Sequence, residues 1–310
     1  MKHLFVINPI AGRGKSLTYI DKIKEIFKDR DEEYIIEITE RKGHAVQLVK
    51  EYTSKEDYRV YAIGGDGTLN EVLNGMINSN SSLSVIPCGT GNDFARTLLE
   101  NIHSEDILLD TINGDEKFID VAKANERYYI NISSVGFDSE VVYNARLFKN
   151  MKFLPNHLAY IFSLFYTPFV YKSIPMKVNI DDLILNQRTM LIAASNGKCY
   201  GGGIPITPNA DIQDGLLDIC VVDHAPLLKL IRFLPRALKG KHGSVKEVSF
   251  YKAHKVSVES SSPFTFNADG ELEKLHKVNL EIVPNKVKMI VPKESIKFKD
   301  IEDPKEVIIA

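Results

Sequence analysis

The sequence predicts an α/β domain followed by a mostly antiparallel β domain, and three observations carry that expectation. Over roughly the first 125 residues, short apolar runs alternate with segments of helical periodicity, the order that builds a parallel sheet covered by helices. Glycine-rich turns stand directly behind several of those runs. From about Lys117 onward, strand-like segments follow one another instead. With 310 residues the chain is long enough for two cores.

In the first part, strands are expected at 4–7, 34–38, 59–63 and 83–86, where β-branched and aromatic residues cluster. Helices are expected at 16–27, 43–52 and 69–77, where apolar residues recur at helical spacing. In the second part, strands are expected at 118–122, 128–133, 176–180, 190–194, 217–222, 255–258, 264–268 and 278–283. The domains are therefore placed at 1–125 and 126–286. Residues 287–310 are expected to return to the first sheet and complete it.

Two segments break the strand pattern. Residues 148–171 combine Lys149 and Lys152 with a dense aromatic set that includes Phe162, Phe165, Tyr166 and Phe169, and Pro155 and Pro168 flank its apolar stretch. Its apolar stretch is too short to span a bilayer, so a buried or interfacial helix is expected. Residues 226–243 place Leu227, Leu230, Ile231, Leu234 and Leu238 on one helical face and Lys229, Arg232, Arg236, Lys239 and Lys241 elsewhere. That pattern suits a helix packed on its own domain or one lying on an anionic surface, with Pro235 interrupting it.

A net charge of -2 gives no global reason to expect nucleic acid. Cys88, Cys199 and Cys220 fit neither a disulfide framework nor a zinc spacing, which points to a reducing cytoplasm. The opening apolar run is too short for a signal peptide.

Four glycine-centred segments carry the chemistry. Asn8-Pro9-Ile10-Ala11-Gly12-Arg13-Gly14-Lys15-Ser16 leaves the first strand for the first helix, without the spacing of a Walker A loop. Gly64-Gly65-Asp66-Gly67-Thr68, followed by Leu69, Asn70 and Glu71, combines close backbone approach, a helix start and a carboxylate that can hold hydrated Mg²⁺. Gly89-Thr90-Gly91-Asn92-Asp93-Phe94-Ala95 again follows a strand. In a parallel sheet these three loops gather at one edge. The fourth, Asn267-Ala268-Asp269-Gly270-Glu271, reads as a two-residue hairpin turn that could also present Asp269 and Glu271 as carboxylates. Glu271 could then accept the proton of an attacking hydroxyl.

In this order and spacing, the four segments resemble the diacylglycerol kinase catalytic-domain family of lipid kinases, most closely its soluble bacterial members, over essentially the whole chain. The resemblance implies a Rossmann-like nucleotide-binding domain related to phosphofructokinase and NAD kinase, a β-sandwich-like second domain, and an active site between them. It implies that ATP lies against Asn8, Pro9, Gly12, Gly14, Thr39, Gly64, Gly65, Asp66, Gly67, Thr68, Asn70, Glu71, Gly89, Thr90 and Asn92. Glu271 matches the family's general base. Asp66, Asp93, Asp120 and Asp269 would form the carboxylate and water network around catalytic Mg²⁺, and a separate structural Mg²⁺ maps to Asp211, Asp214 and Leu216.

The implied reaction is ATP- and Mg²⁺-dependent phosphorylation of diacylglycerol or a related lipid to phosphatidic acid or its analogue. The aromatic segment 148–171 would be a wall for acyl chains. The enzyme would be cytoplasmic and peripherally associated with the inner face of the membrane, with a homodimer as one assembly. Two other readings stay open at this level. NAD kinase shares the Gly-Gly-Asp-Gly-Thr element, although the segments around Gly89 and Asp269 match it less well. A nucleotide-binding regulatory protein would need a degenerate site, whereas all the carboxylates are in place.

Overall fold

The computed structural model describes residues 1–99, 104–149 and 156–293. Lys152 and Pro155, and the stretch 294–310 assigned to the first domain, lie outside the described residues.

The first strands are β1 (Lys2–Ile7), β2 (Glu33–Ile38), β3 (Arg59–Gly64) and β4 (Ser82–Pro87). They pair in parallel in the order β4-β3-β1-β2. Leu4, Phe5, Val6 and Ile7 are all wholly buried, so β1 is covered on both faces. Each such side chain contributes about 1.5–3 kcal/mol by burial, which is why these runs do not alternate with polar residues. Phe5 and Tyr61 stack across β1 and β3 with ring centroids 4.5 Å apart.

The covering helices are α1 (Tyr19–Phe27), α2 (His44–Thr53), α3 (Asp66–Met76), α4 (Asp93–Leu98) and α5 (Ile107–Ile112). The last two had no counterpart in the sequence reading. Both are one and a half turns long, too short for periodicity to show.

The second part contains β5 (Asp115–Ala124), β6 (Arg127–Tyr129), β7 (Ile132–Gly136), β8 (Ile174–Ile180), β9 (Leu183–Ser195), β10 (Leu217–Asp223), β11 (Val248–Ala253), β12 (Lys255–Ala268) and β13 (Glu271–Val291). Its path runs β11-β10-β9-β7-β12-β13 through antiparallel pairs. The separate strands expected at 255–258 and 264–268 are the two ends of β12, joined across a shift in register. Likewise β13 absorbs 278–283 and 287–291. Bulges of this kind bend a strand without ending it, and local sequence does not mark them as strand interior.

β13 ties the two parts together. One end pairs with β12, while Lys288 and Met289 pair in parallel with Ser82 and Leu83 of β4. β5 accompanies it antiparallel along both stretches, with the register shifting between Val283 and Val287. Val287, Met289, Ile290 and Val291 accordingly pack into the first core, whereas Leu280 and Ile282 pack into the second.

Three helices decorate the second part: α6 (Phe137–Lys149), α7 (Asn156–Val170) and α8 (Leu227–Ala237). Pro168 and Pro235 lie inside α7 and α8. Pro235 therefore does not interrupt its helix, contrary to the pattern read from sequence. Among the described residues no helix is long and apolar enough to cross a membrane.

Candidate active site

The carboxyl ends of β1, β2, β3 and β4 open into one cleft of about 1700 Å³ whose far wall carries Glu271. Behind β1, Gly12, Arg13 and Gly14 take φ of 60°, 59° and 91° in succession, a left-handed run that only glycine adopts freely. A β-carbon on Gly12 would stand 2.7 Å from the Cys88 carbonyl oxygen, so this loop packs directly on the one behind β4. Asn8 braces the entrance. Its amide donates to Thr68 Oγ1 at 3.0 Å, and its backbone carbonyl accepts from Ser16 Oγ at 2.6 Å.

The loops behind β3 and β4 meet at two glycines. A β-carbon on Gly89 would fall 2.5 Å from the Gly65 α-carbon, closer than any side chain allows. Asn92, itself at φ 51°, closes its loop by accepting from the Gly89 N–H and donating to the Gly89 carbonyl, both at 2.8 Å. Thr90 is left exposed toward the cleft.

Of the residues assigned to nucleotide, the cleft lining includes Asn8, Pro9, Gly12 and Thr39 from the first two loops. From the next two it includes Gly65, Gly67, Thr68, Glu71, Gly89, Thr90 and Asn92. Gly14, Gly64 and Asn70 stand behind that surface. Gly64 is packed so tightly on Thr68 that a β-carbon would reach Thr68 Oγ1 at 2.4 Å. Asn70 turns to the second part of the molecule, donating to Asp269 Oδ2 at 2.9 Å and accepting from Arg127 at 2.7 Å. Glu71 spends its carboxylate on α2, accepting from the Gly43 N–H at 2.8 Å and the Ala45 N–H at 3.3 Å. It thereby fixes the loop behind β2 at that helix's positive end.

Five cations line the same cleft: Arg13, Lys15, Lys22, Arg41 and Lys42. Arg13 belongs to the loop behind β1, and Lys22 reaches the cleft from α1. Together with the backbone loops they suit a polyphosphate.

The carboxylates divide into three groups. Asp66 and Asp93 stay together beside Gly91, Asp93 lining the cleft and Asp66 standing just behind its surface. Asp66 Oδ1 accepts from the Phe94 N–H at 3.2 Å, and burial, reinforced by the nearby Asp93 charge, pushes its pKa up to about 6. Asp93 accepts from Gly203 N–H at 2.6 Å and from Gly202 N–H at 3.0 and 3.1 Å, and burial raises its pKa too. Gly201, Gly202 and Gly203 all have positive φ, which is how three successive residues turn their backbone toward one carboxylate.

Asp269 occupies the expected hairpin turn, with φ 47° beside Gly270 at φ 86°. Its charge still reaches Asp66, while its own oxygens are engaged by the neighbouring backbone and Asn70. The side chain is half-buried, and its two oxygens accept from Asn70 Nδ2 and the N–H groups of Ile130, Asn131 and Ile132 at 2.8–3.1 Å. Four donors leave it acting as a pin between the turn, β7 and α3. Burial still pushes its pKa up, against the pull of those donors.

Asp120 faces the loop that carries Asp211 and Asp214. Its oxygens accept from the Asn285 N–H at 2.7 Å and the Gly215 N–H at 2.8 Å, tying the bulge of β13 to the 211–216 loop. Burial pushes its pKa up to about 6, with Asp214 and Asp211 adding to the shift.

The expected structural metal site does not fit a cation as it stands. Asp214 Oδ1 accepts from its own loop at Leu216 N–H, 3.0 Å, and Oδ2 accepts from Lys252 Nζ at 2.6 Å. Asp211 Oδ1 accepts from Gln213 N–H at 3.0 Å. Lys252 also reaches Asp218 at 3.1 Å, so an ammonium already balances this loop. Among the described residues no group of three or more His, Cys, Asp or Glu side chains is arranged to hold a metal.

Glu271 begins β13 and faces the cleft, 27% exposed, paired with Lys42 Nζ at 2.5 Å. The cleft thus sets a base-type carboxylate opposite the phosphate-type loops. A kinase needs that arrangement, because phosphoryl transfer asks the protein chiefly to position and to stabilise charge.

Comparison with known proteins agrees with this geometry. Residues 2–124 match the diacylglycerol kinase catalytic domain, and residues 131–291 match the YegS C-terminal NAD kinase beta sandwich-like domain. The chain is 30% identical over 294 residues to a diacylglycerol kinase of Bacillus subtilis (strain 168), covering 93% of this chain and 96% of that one. It is 29% identical over 282 residues to a diacylglycerol kinase of Staphylococcus saprophyticus, covering 86% and 87%. A crystal structure of a Bacillus anthracis str. Sterne protein superposes with a TM-score of 0.74 at 28% identity, over 94% of this chain and 95% of that one. The fold is thus mixed α/β with a C-terminal β-sandwich-like domain, and the chain belongs to the bacterial diacylglycerol kinase family of lipid kinases.

Proposed function

We propose that this protein transfers the γ-phosphoryl group of MgATP to the hydroxyl of diacylglycerol, giving phosphatidic acid at the inner face of the membrane. The observation that carries the reading is Glu271 standing across a cation-lined cleft from the glycine loops. The triphosphate would lie on the loops behind β1, β3 and β4, with Arg13, Lys15 and Lys22 neutralising its charge. Glu271 would take the acceptor's proton. Asp66 and Asp93 fit a divalent cation, since each directs an oxygen to the same side of Gly91, and Mg²⁺ there would offset charge on the phosphates.

The acceptor side is supported by α7. The helix Asn156–Val170 carries no Asp, Glu, Lys or Arg, yet Phe162, Phe165 and Phe169 are 53%, 59% and 71% exposed. Such a face suits acyl chains and the headgroup boundary of a bilayer. Exposed Lys229, Arg232, Arg236 and Lys239 on and just beyond α8 suit an anionic one.

The test is incubation with labelled ATP, Mg²⁺ and a panel of diacylglycerol, monoacylglycerol, phosphatidylglycerol, sphingosine, ceramide and NAD. Labelled phosphatidic acid is expected, falling about 10²–10⁴-fold in Glu271→Gln. Robust conversion of NAD to NADP, or an unaffected Glu271→Gln enzyme, would overturn the reading.

A further inference from the structure

We propose that Lys42 is a positioning residue for phosphoryl transfer, acting through Glu271; the inference rests on the kinase reading of the cleft. The two residues are 229 positions apart and come from different parts of the molecule, yet Lys42 Nζ donates to Glu271 Oε2 at 2.5 Å. Lys42 is 69% exposed, so the pair adds little to stability and its value lies in where it holds the carboxylate.

Both sides of the pair are built on anchored backbone. Lys42 belongs to the loop behind β2, whose start is held by the Thr39 N–H on the Ile7 carbonyl at 2.9 Å and whose end is held by Glu71 on Gly43 and Ala45. Glu271 follows a turn held by the four donors on Asp269 and by Arg146 on the Gly270 carbonyl. An ammonium fixed in this way aims the carboxylate at the cleft and keeps it from turning outward to solvent.

In the reaction, the acceptor O–H proton passes to Glu271 while the acceptor oxygen bonds to the γ-phosphorus. The bond from that phosphorus to the bridging oxygen breaks, its electron pair leaving on the β-phosphate of ADP. Lys42 acts on this step only through the carboxylate, holding it within reach of the acceptor hydroxyl. A misplaced base slows the chemical step without loosening the nucleotide, so removal of Lys42 lowers kcat rather than raising KM.

The test is a cycle of Lys42→Gln, Lys42→Arg, Glu271→Gln and the double variant, assayed on whichever acceptor the wild type phosphorylates. Lys42→Gln is expected to lower kcat about tenfold, less than the 10²–10³ of a buried donor, with KM for ATP within about threefold. Lys42→Arg should recover most of the loss, and Lys42→Gln should cost nothing further once Glu271 is Gln. An unchanged kcat in Lys42→Gln, or an equal loss in the Glu271→Gln background, would overturn the inference. A wild type active only on another acceptor would sink the diacylglycerol reading alone.

Discussion

Asp66 and Asp93 aim carboxylate oxygens at the same point beside Gly91, where a β-carbon would lie 3.0 Å from Asp66 Oδ2 and 3.1 Å from Asp93 Oδ2. Two like charges this close repel, and a divalent cation between them would relieve that repulsion. Asp66→Asn is expected to lower kcat by about 10²–10³ and to raise the Mg²⁺ concentration needed for half-maximal rate. Chelation of Mg²⁺ should silence the wild type reversibly. An Asp66→Asn enzyme with the wild-type Mg²⁺ dependence would place the cation elsewhere.

Asp269 and Glu271, two residues apart, should separate cleanly into stability and activity. Asp269→Ala strips the acceptor from four buried donors, each left unsatisfied, and should lower unfolding free energy by about 3–5 kcal/mol. Glu271→Ala removes a partly exposed side chain and should stay within about 0.5 kcal/mol. Urea denaturation of the two variants decides this. Equal midpoints would refute the pinning role of Asp269.

Asp138, on α6, is 5% exposed, and burial pushes its pKa up from 3.8 to about 6. The folded protein therefore holds this proton where the unfolded chain has released it. The group's contribution is fully present below about pH 4 and is lost as pH rises through about 6. The shift of about two units corresponds to roughly 3 kcal/mol. Asp138→Asn is expected to stabilise the protein at pH 7.5 by about 1–2 kcal/mol, and by about half as much at pH 5. Denaturation at the two pH values measures both, and an advantage independent of pH would rule out the buried charge as its cause.

The glycine loops were legible because their physics is local. Gly12, Gly65 and Gly89 sit where backbone must meet backbone, and each follows a buried apolar run that can only be a covered parallel strand. Asp269-Gly270 announced its turn for the same reason, since left-handed φ at successive positions needs those residue types. The hairpin turn and the loops behind the parallel strands were therefore readable in one dimension.

What each carboxylate does was not. Asp120 and Asp269 look like Asp66 and Asp93 in sequence, yet Asp120 accepts from the Asn285 and Gly215 N–H groups and Asp269 from those of residues 130–132. The partners that decide this lie up to 165 positions away and exist only once β13 bends across both cores. The same closure brings Lys42 to Glu271. A residue's type and neighbours set what it can bond to, whereas its protonation, its free oxygens and its cross-cleft partner depend on which donors the folded chain delivers to it.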